Sequence, residues 1–335
     1  MTPLKFAVIG LGNIGKRHVQ ALYDTSNAKL VAVCDIDKSK CKPDSNICSE
    51  VEFFEDYTKL LAKSDAEIVC IASPHGLHAQ MAIDCMKAGK HVIVEKPMAL
   101  TIYDCDKMNQ VSIETNKKLF IVKQNRFNRP IIVTTKALEE NRLGKIYLVQ
   151  CNVFWNRGEE YYTESDWRGI KALEGGALHT QVSHFLDLLT WWFGELSEAK
   201  SIIDTVHHNI EIEDVGVSTL KFNSGVIGSL SWTTNVYNKN YEGSITIIGE
   251  TGTIKIGGKY LNKIEYWDVK SYPMPIDIDF NDGVNEYGKY QGSSSNHDIM
   301  FHEIIEHFTK KRKGIVEGVE GEKSVRATEM IYAST

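Results

Sequence analysis

The residues Gly10-Leu11-Gly12-Asn13-Ile14-Gly15 stand between an apolar run, LKFAVIG, and an amphipathic stretch, IGKRHVQALYDT. A strand that feeds glycines at G-x-G-x-x-G spacing and then a helix has few folds open to it. The first glycine suits a tight turn, the second a close backbone approach to a pyrophosphate, and the third close helix–strand packing. The start of the helix adds free N–H groups for phosphate oxygens. Taken alone the motif is weak, since glycines at a strand–helix turn also serve purely structural ends.

The surroundings strengthen it. Residues 1–123 alternate further apolar runs (KLVAVCD, IVCIAS, HVIVEK, KLFIVK) with helical patterns such as GLHAQMAIDCMKAG. Strand alternating with helix predicts a doubly wound parallel sheet with helices on both faces. Asp35 closes the second strand, twenty residues beyond Gly15, where a carboxylate can accept bonds from an adenine-ribose diol. It also repels a 2′-phosphate and is followed by Ile36 rather than an arginine, so NAD is expected over NADP; Lys38 and Lys40 nearby keep that preference short of absolute. Ser73-Pro74-His75-Gly76-Leu77-His78 and Glu95-Lys96-Pro97 each follow an apolar run, at the strand ends that line the ligand crevice of such a sheet. An ammonium held there can steady the alkoxide character that grows as hydride leaves a hydroxyl. The bland alternatives are a locally packed His78 and a structural Glu95–Lys96 pair.

After Gln124 the pattern changes. A helical stretch near 129–142 precedes strands of more polar alternation: IYLVQCNVFW, GVSTLKFNS, VIGSLSWTTN, GSITIIGE and GTIKIGG. With plausible hairpin turns at 223–225 and 250–252, these predict a mostly antiparallel sheet, one face covered by helices. The apolar stretch 176–193 is the candidate central helix, and a Gly/Ser-rich stretch around 281–296 is the candidate surface loop. Two domains, 1–123 and 124–335, fit the length of 335 residues.

Composition excludes other classes. The 38 Lys and Arg against 44 Asp and Glu give a net charge of −6 with no long basic run, so neither nucleic acid nor an anionic membrane is the expected partner. The N-terminal apolar segment is too short for a secretory signal, and no uninterrupted membrane span occurs. Seven cysteines without a CxxC pair or zinc spacing read as reduced thiols of a cytoplasmic protein. HEIIEH (302–307) invites a metalloprotease reading, but its histidines are five apart and diverge around a helix. No metal is expected.

GLGNIG, Asp35, SPHGLH and EKP, in this order and spacing, resemble the Gfo/Idh/MocA family of oxidoreductases. The resemblance implies a Rossmann domain followed by an α/β domain with a large open sheet, through which a homodimer or homotetramer forms. It implies NAD contacts from Gly10, Gly12, Asn13, Ile14, Gly15, Asp35, Ser73, Pro74, His78, Glu95 and Lys96, with Lys96 at the reaction centre. In EGGALHTQVSHFLDLLTWWFG, Gly175 and Gly176 precede a helix in which His184 and Asp187 match the family's H-x-x-D, making His184 the acid–base histidine. Thr180, His184 and Asp187 are spaced i, i+4, i+7 and are expected on one helical face. Thr180 stands where inositol dehydrogenase-like members carry an aspartate, which turns the reading away from a simple polyol dehydrogenase.

KQNRFN (123–128), NRGEEYY (156–162), DWRG (166–169) and SNHDIMFHEIIEHF (295–308) resemble one branch, the UDP-N-acetylglucosaminuronate (UDP-GlcNAcA) 3-dehydrogenases of bacterial surface-polysaccharide pathways, lipopolysaccharide O-antigen among them. That branch oxidises the sugar C3 hydroxyl to a ketone, and some members recycle NADH with 2-oxoglutarate. It implies Trp167 and Arg168 near the cofactor. Arg157 and Tyr161 are the candidates for the substrate's anionic groups, beside Lys96, Thr180 and His184, because a guanidinium fork suits carboxylate and phosphate. Two rivals stay open: an NAD-dependent dehydrogenase of a free sugar or polyol, and a non-catalytic dinucleotide-binding sensor.

Overall fold

The computed structural model describes residues 2–41, 51–275, 284–286, 291–294, 296–310 and 315–335. The chain divides into two compact units, one of residues 1–122 with 297–322, the other of residues 123–296 with 323–335.

In the first unit, β1 (Leu4–Ile9), α1 (Asn13–Asp24), β2 (Ala28–Cys34), β3 (Glu52–Phe54), α2 (Tyr57–Lys63), β4 (Ile68–Ile71), α3 (His78–Lys87), β5 (His91–Val94), α4 (Ile102–Thr115) and β6 (Leu119–Ile121) alternate along the chain. The strands form one parallel sheet in the order β3-β2-β1-β4-β5-β6. This is the Rossmann order, with its topological switch between β1 and β4. β4 and the inner residues of β1 and β5 are fully buried, as strands covered on both faces must be.

The helix His297–Lys310, expected in the second domain, packs in this first unit. Met300, Phe301, Ile304 and Ile305 make its buried stripe, each at most 3% exposed. Phe301 meets Phe6 of β1 edge-on at 6.1 Å. Each such side chain contributes about 1.5–3 kcal/mol gross on burial, which fixes where the segment docks. Beyond it, Val316 accepts from the Ile121 N–H, so the returning chain covers the β6 edge.

The second unit carries α5 (Arg129–Glu139), β7 (Ile146–Phe154), α6 (Glu159–Thr163), α7 (Lys171–Glu174), α8 (Ala177–Thr180), α9 (Ser183–Phe193), β8 (Leu196–Asp204), β9 (Val215–Phe222), β10 (Ile227–Thr233), β11 (Glu242–Gly249), β12 (Gly252–Gly257) and β13 (Lys263–Val269). Its seven-stranded sheet runs β13-β12-β11-β7-β10-β9-β8, antiparallel except for the β7–β10 pair. β9 alternates strictly between buried and open positions, and Phe185, Leu188 and Leu189 of α9 join the core on the buried face. The other face is open: Val217 and Ile227 are more than half exposed.

Much of the stretch expected as a Gly/Ser-rich surface loop lies outside the described residues; within it Val284–Glu286 pairs with Gln291–Ser294. Cys34, Cys70, Cys85 and Cys151 are free and buried and Cys105 is buried, whereas Cys41 is disulfide-bonded, which corrects the expectation of reduced thiols at that residue. No helix among the described residues is long and apolar enough to cross a membrane.

Candidate active site

In the first unit, the sequence motif folds as its spacing demands. Gly10 has φ +90° and a Cβ there would stand 2.5 Å from the Ala72 carbonyl oxygen, while a Cβ on Gly15 would overlap the Gly10 carbonyl. Both positions therefore require glycine. Gly12 caps α1 with no side-chain bond, and no atom of the described residues lies within 4 Å of where its Cβ would be. An uncapped helix start beside open space, with Asn13 exposed and Ile14 half-buried in its first turn, has the features an anionic pyrophosphate needs. These residues fit a dinucleotide.

Asp35 is buried, and its Oδ2 accepts the Leu11 N–H at 2.7 Å, tying the end of β2 to the glycine turn. Its Oδ1 accepts the Asp37 N–H at 2.9 Å and the Lys40 ammonium at 3.1 Å. A ribose diol reaching this carboxylate would compete with Lys40, a contact the sequence only hinted at.

At the ends of β4 and β5, Ser73, Pro74 and Lys96 are half-buried and His78 is fully buried. His78 Nδ1 lies 2.8 Å from the Pro97 carbonyl and Nε2 lies 2.9 Å from the Ser73 carbonyl, so the ring bridges the SPHG and EKP turns. Burial pushes His78 below the ordinary histidine range, against the pull of the two carbonyls. The Lys96–Pro97 peptide is cis. Glu95 is buried at the end of β5, with Oε1 2.8 Å from His18 Nε2 and 3.3 Å from His297 Nε2, while Oε2 accepts the Lys96 N–H at 3.1 Å. Neither His18 nor His297 stands out in the sequence; a single histidine in an amphipathic helix reads as ordinary packing.

In the second unit, Gly176 has φ +131° and the position of its Cβ is taken by the Tyr332 hydroxyl and Glu213 Oε2, so a side chain has no room. The helix expected over 176–193 is two helices. The Ala177 carbonyl accepts both the Gln181 and Val182 N–H groups, a widened turn between α8 and α9. The i, i+4, i+7 alignment therefore does not run through: His184 and Asp187 share α9, while Thr180 ends α8 and donates its hydroxyl to the Gly176 carbonyl at 3.0 Å.

His184 is 4% exposed. Asp187 is gripped by Arg126 through two bonds of 2.8 Å, and Lys123 lies 3.3 Å away. Burial alone would raise this carboxyl; the charges and hydrogen bonds of Arg126 and Lys123 outweigh it and lower it to about 2. Asp187 is thus an ionised anchor for the turn of α9 that carries His184.

Arg157 and Tyr161 come together, the guanidinium 5.3 Å from the ring centroid. Arg157 is 4% exposed and donates to the Asn156 carbonyl and to Asn240. Arg168 stacks over the Tyr161 ring at 4.0 Å and lies 5.5 Å from the ring of Trp167. Gln181, in the widened turn, donates to the Tyr161 hydroxyl at 3.2 Å. The two arginines and Tyr161 thus form one cluster with the residue that separates α8 from α9.

A Rossmann sheet with a dinucleotide turn, and a second sheet with a buried histidine on its covering helix, define a nucleotide-dependent oxidoreductase architecture. Residues 4–123 match the Gfo/Idh/MocA oxidoreductase family's NAD-binding Rossmann fold and residues 133–255 match its C-terminal domain. The chain belongs to that family.

Among solved structures it is similar to the WlbA dehydrogenase of Chromobacterium violaceum in complex with NADH and UDP-GlcNAcA, at 36% identity and a TM-score of 0.91 over 100% of this chain and 94% of that one. The WlbA dehydrogenase of Bordetella pertussis, also with NADH and UDP-GlcNAcA, gives 34% and 0.88 over 99% and 96%. Two curated relatives are more distant than these. The inositol 2-dehydrogenase/D-chiro-inositol 3-dehydrogenase of Halalkalibacterium halodurans is 27% identical over 67% of this chain and 63% of its own length. A 1-carboxy-3-chloro-3,4-dihydroxycyclohexa-1,5-diene dehydrogenase of Comamonas testosteroni is 26% identical over 68% and 57%. The match thus spans about three fifths of the length of these two relatives.

Proposed function

We propose that the protein is an NAD-dependent dehydrogenase that oxidises a sugar-nucleotide hydroxyl to a ketone, specifically C3 of UDP-GlcNAcA, in the cytoplasmic synthesis of a surface polysaccharide. The observation that carries this reading is the end-to-end likeness to two dehydrogenases bound to NADH and UDP-GlcNAcA. The first unit, with Gly10, Gly12, Asn13, Ile14, Gly15 and Asp35 at its turn, is the nucleotide half, and the second unit, residues 123–296 with 323–335, supplies the substrate and oligomer-forming half.

His184 takes the proton of the reacting hydroxyl as general base. The Lys96 ammonium donates to the same oxygen and stabilises its developing charge. Thr180 orients the sugar through its hydroxyl. Bound NAD supplies the hydride acceptor. Trp167 and Arg168, with Ser73, Pro74, His78 and Glu95, border the cofactor, and Arg157 and Tyr161 hold the substrate's anionic groups. The reading extends to a homodimer or homotetramer joined through the open sheet face, and to 2-oxoglutarate as the oxidant that returns NADH to NAD.

A free sugar or polyol is the second reading, favoured by the inositol and levoglucosan dehydrogenases among the relatives at 24–27% identity. Arg157→Ala separates the two. A lost charge-assisted bond is worth about 1.5–3 kcal/mol, so KM for UDP-GlcNAcA should rise about 10- to 100-fold. Unchanged kinetics would remove the sugar-nucleotide reading at this residue. Full biological activity in a Lys96→Met protein would instead revive the non-catalytic sensor.

A further inference from the structure

Glu95, His18 and His297 are each at most 5% exposed and come from three segments of the first unit: the end of β5, the middle of α1 and the first residue of the returning helix. Their ligand-type atoms lie within 4.8 Å of one another, close enough to ask whether a cation belongs there. The protons argue otherwise. Among the described residues, the Nδ1 atoms of both histidines are buried without a hydrogen-bond partner. If each Nε2 bound a metal, each Nδ1 would carry a hydrogen with nowhere to donate it, whereas metal-bound histidines almost always donate from the second nitrogen. If each Nε2 carries the hydrogen, both donate to Glu95 Oε1 and each Nδ1 is a bare lone pair, the cheaper orphan. Burial alone would raise the Glu95 carboxyl, but the bonds from His18 and His297 hold it well below the usual carboxylate range. An ionised carboxylate accepts only, which agrees with this tautomer.

With Oε1 held by two donors, the carboxylate plane is fixed and Oε2 is left for the Lys96 N–H at 3.1 Å. We propose that His18, Glu95 and His297 form a buried positioning triad that sets the backbone plane at Lys96, and with it the direction in which the lysine leaves the sheet. His297 makes this alignment depend on a segment about two hundred residues away from Lys96 in the chain. The consequence for turnover rests on the catalytic reading of Lys96 given above; the alignment itself does not.

Phenylalanine at 18 or 297 keeps an aromatic ring against Phe301 and its neighbours (His18 lies 5.2 Å from Phe301 and 5.5 Å from His297) while removing the donor. Glutamine restores a donor near the Nε2 position. Hydrogen exchange at the Lys96 amide, resolved by overlapping peptides, should rise about tenfold or more in His18→Phe and His297→Phe, as local protection is lost. Their kcat should fall about tenfold with KM little changed, as a misdirected catalytic group costs rate rather than binding. His18→Gln and His297→Gln should recover most of both, and the purified protein should hold no stoichiometric metal. Wild-type exchange in both Phe variants would reduce the triad to packing and overturn the proposal, as would failure of both Gln variants to recover protection. So would a bound metal whose removal reproduces the Phe phenotype. Should Lys96→Met retain turnover, the catalytic reading falls, and the exchange data still decide the triad.

Discussion

Asp187→Asn removes one charge from a buried carboxylate of the second unit that two cations hold, and leaves the side-chain shape nearly unchanged. Asp187 and Lys123 are each 3% exposed, and Arg126 meets the carboxylate with two bonds of 2.8 Å. A carboxyl lowered from 3.8 to about 2 in the folded state corresponds to about 2 kcal/mol of stability at neutral pH, at 1.36 kcal/mol per pKa unit. The variant also leaves Lys123 buried without its counter-charge and turns an amide donor toward two cations. Its cost should therefore exceed that figure and approach the roughly 3–5 kcal/mol of breaking a buried pair.

The sign in pH follows from the lowered pKa. Stability from Asp187 is fully present above about pH 4 and is lost as pH falls toward 2, so the gap between wild type and variant should be flat above pH 4 and close below it. All six tryptophans fall between residues 155 and 267, so tryptophan fluorescence during urea unfolding reports the second unit. A midpoint shift worth less than about 1 kcal/mol at an unchanged slope, or a gap that persists at pH 2, would refute the anchor assignment.

Other groups give tests of the same kind. Burial pushes Glu213 up to about 7, against bonds from the Leu178 N–H and the Tyr332 hydroxyl, so its contribution is full below about pH 4.5 and is lost as pH rises through 7. Glu213→Gln should remove about 3 kcal/mol of that pH dependence, read from denaturant midpoints between pH 4.5 and 8, and an unchanged slope with pH would contradict it. Lys40→Ala frees Asp35 for a ribose diol and leaves its charge to repel a 2′-phosphate. Because Lys40 is 40% exposed the effect is worth at most about 1 kcal/mol, so the ratio of NADPH to NADH dissociation constants should rise about threefold to fivefold in a fluorescence titration, and an unchanged ratio would disprove the competition.

The parts of this fold legible in the sequence are those whose burial is complete and local. β1, β4 and β5 are short apolar runs buried on both faces, so Phe6-Ala7-Val8 or Val92-Ile93-Val94 mark a strand without knowledge of its neighbours. β8 buries little beyond Leu196 and lies at the sheet edge, so Leu196–Asp204 has no apolar pattern to find; β3 is only three residues long. The turn between α8 and α9 was invisible because Gln181 and Val182 keep helical angles, and only the double use of the Ala177 carbonyl separates the helices. The docking of His297–Lys310 in the first unit depends on what its apolar stripe meets, which no local pattern states. The glycine turn and the positions of Asp35 and Lys96 at strand ends were legible because motif spacing encodes them. The partners of Glu95 were not, since His18 and His297 lie 279 positions apart in chains of ordinary helical character.

The most direct test of the central claim is product analysis. Purified protein is incubated with UDP-GlcNAcA, trace NAD and 2-oxoglutarate, and the mixture is resolved by mass spectrometry. The account predicts a UDP-sugar lighter by two hydrogens together with 2-hydroxyglutarate. Keto-sugar only in proportion to added NAD would keep the substrate and remove the recycling by 2-oxoglutarate. No oxidised sugar nucleotide, from protein shown to bind NADH, would contradict the account.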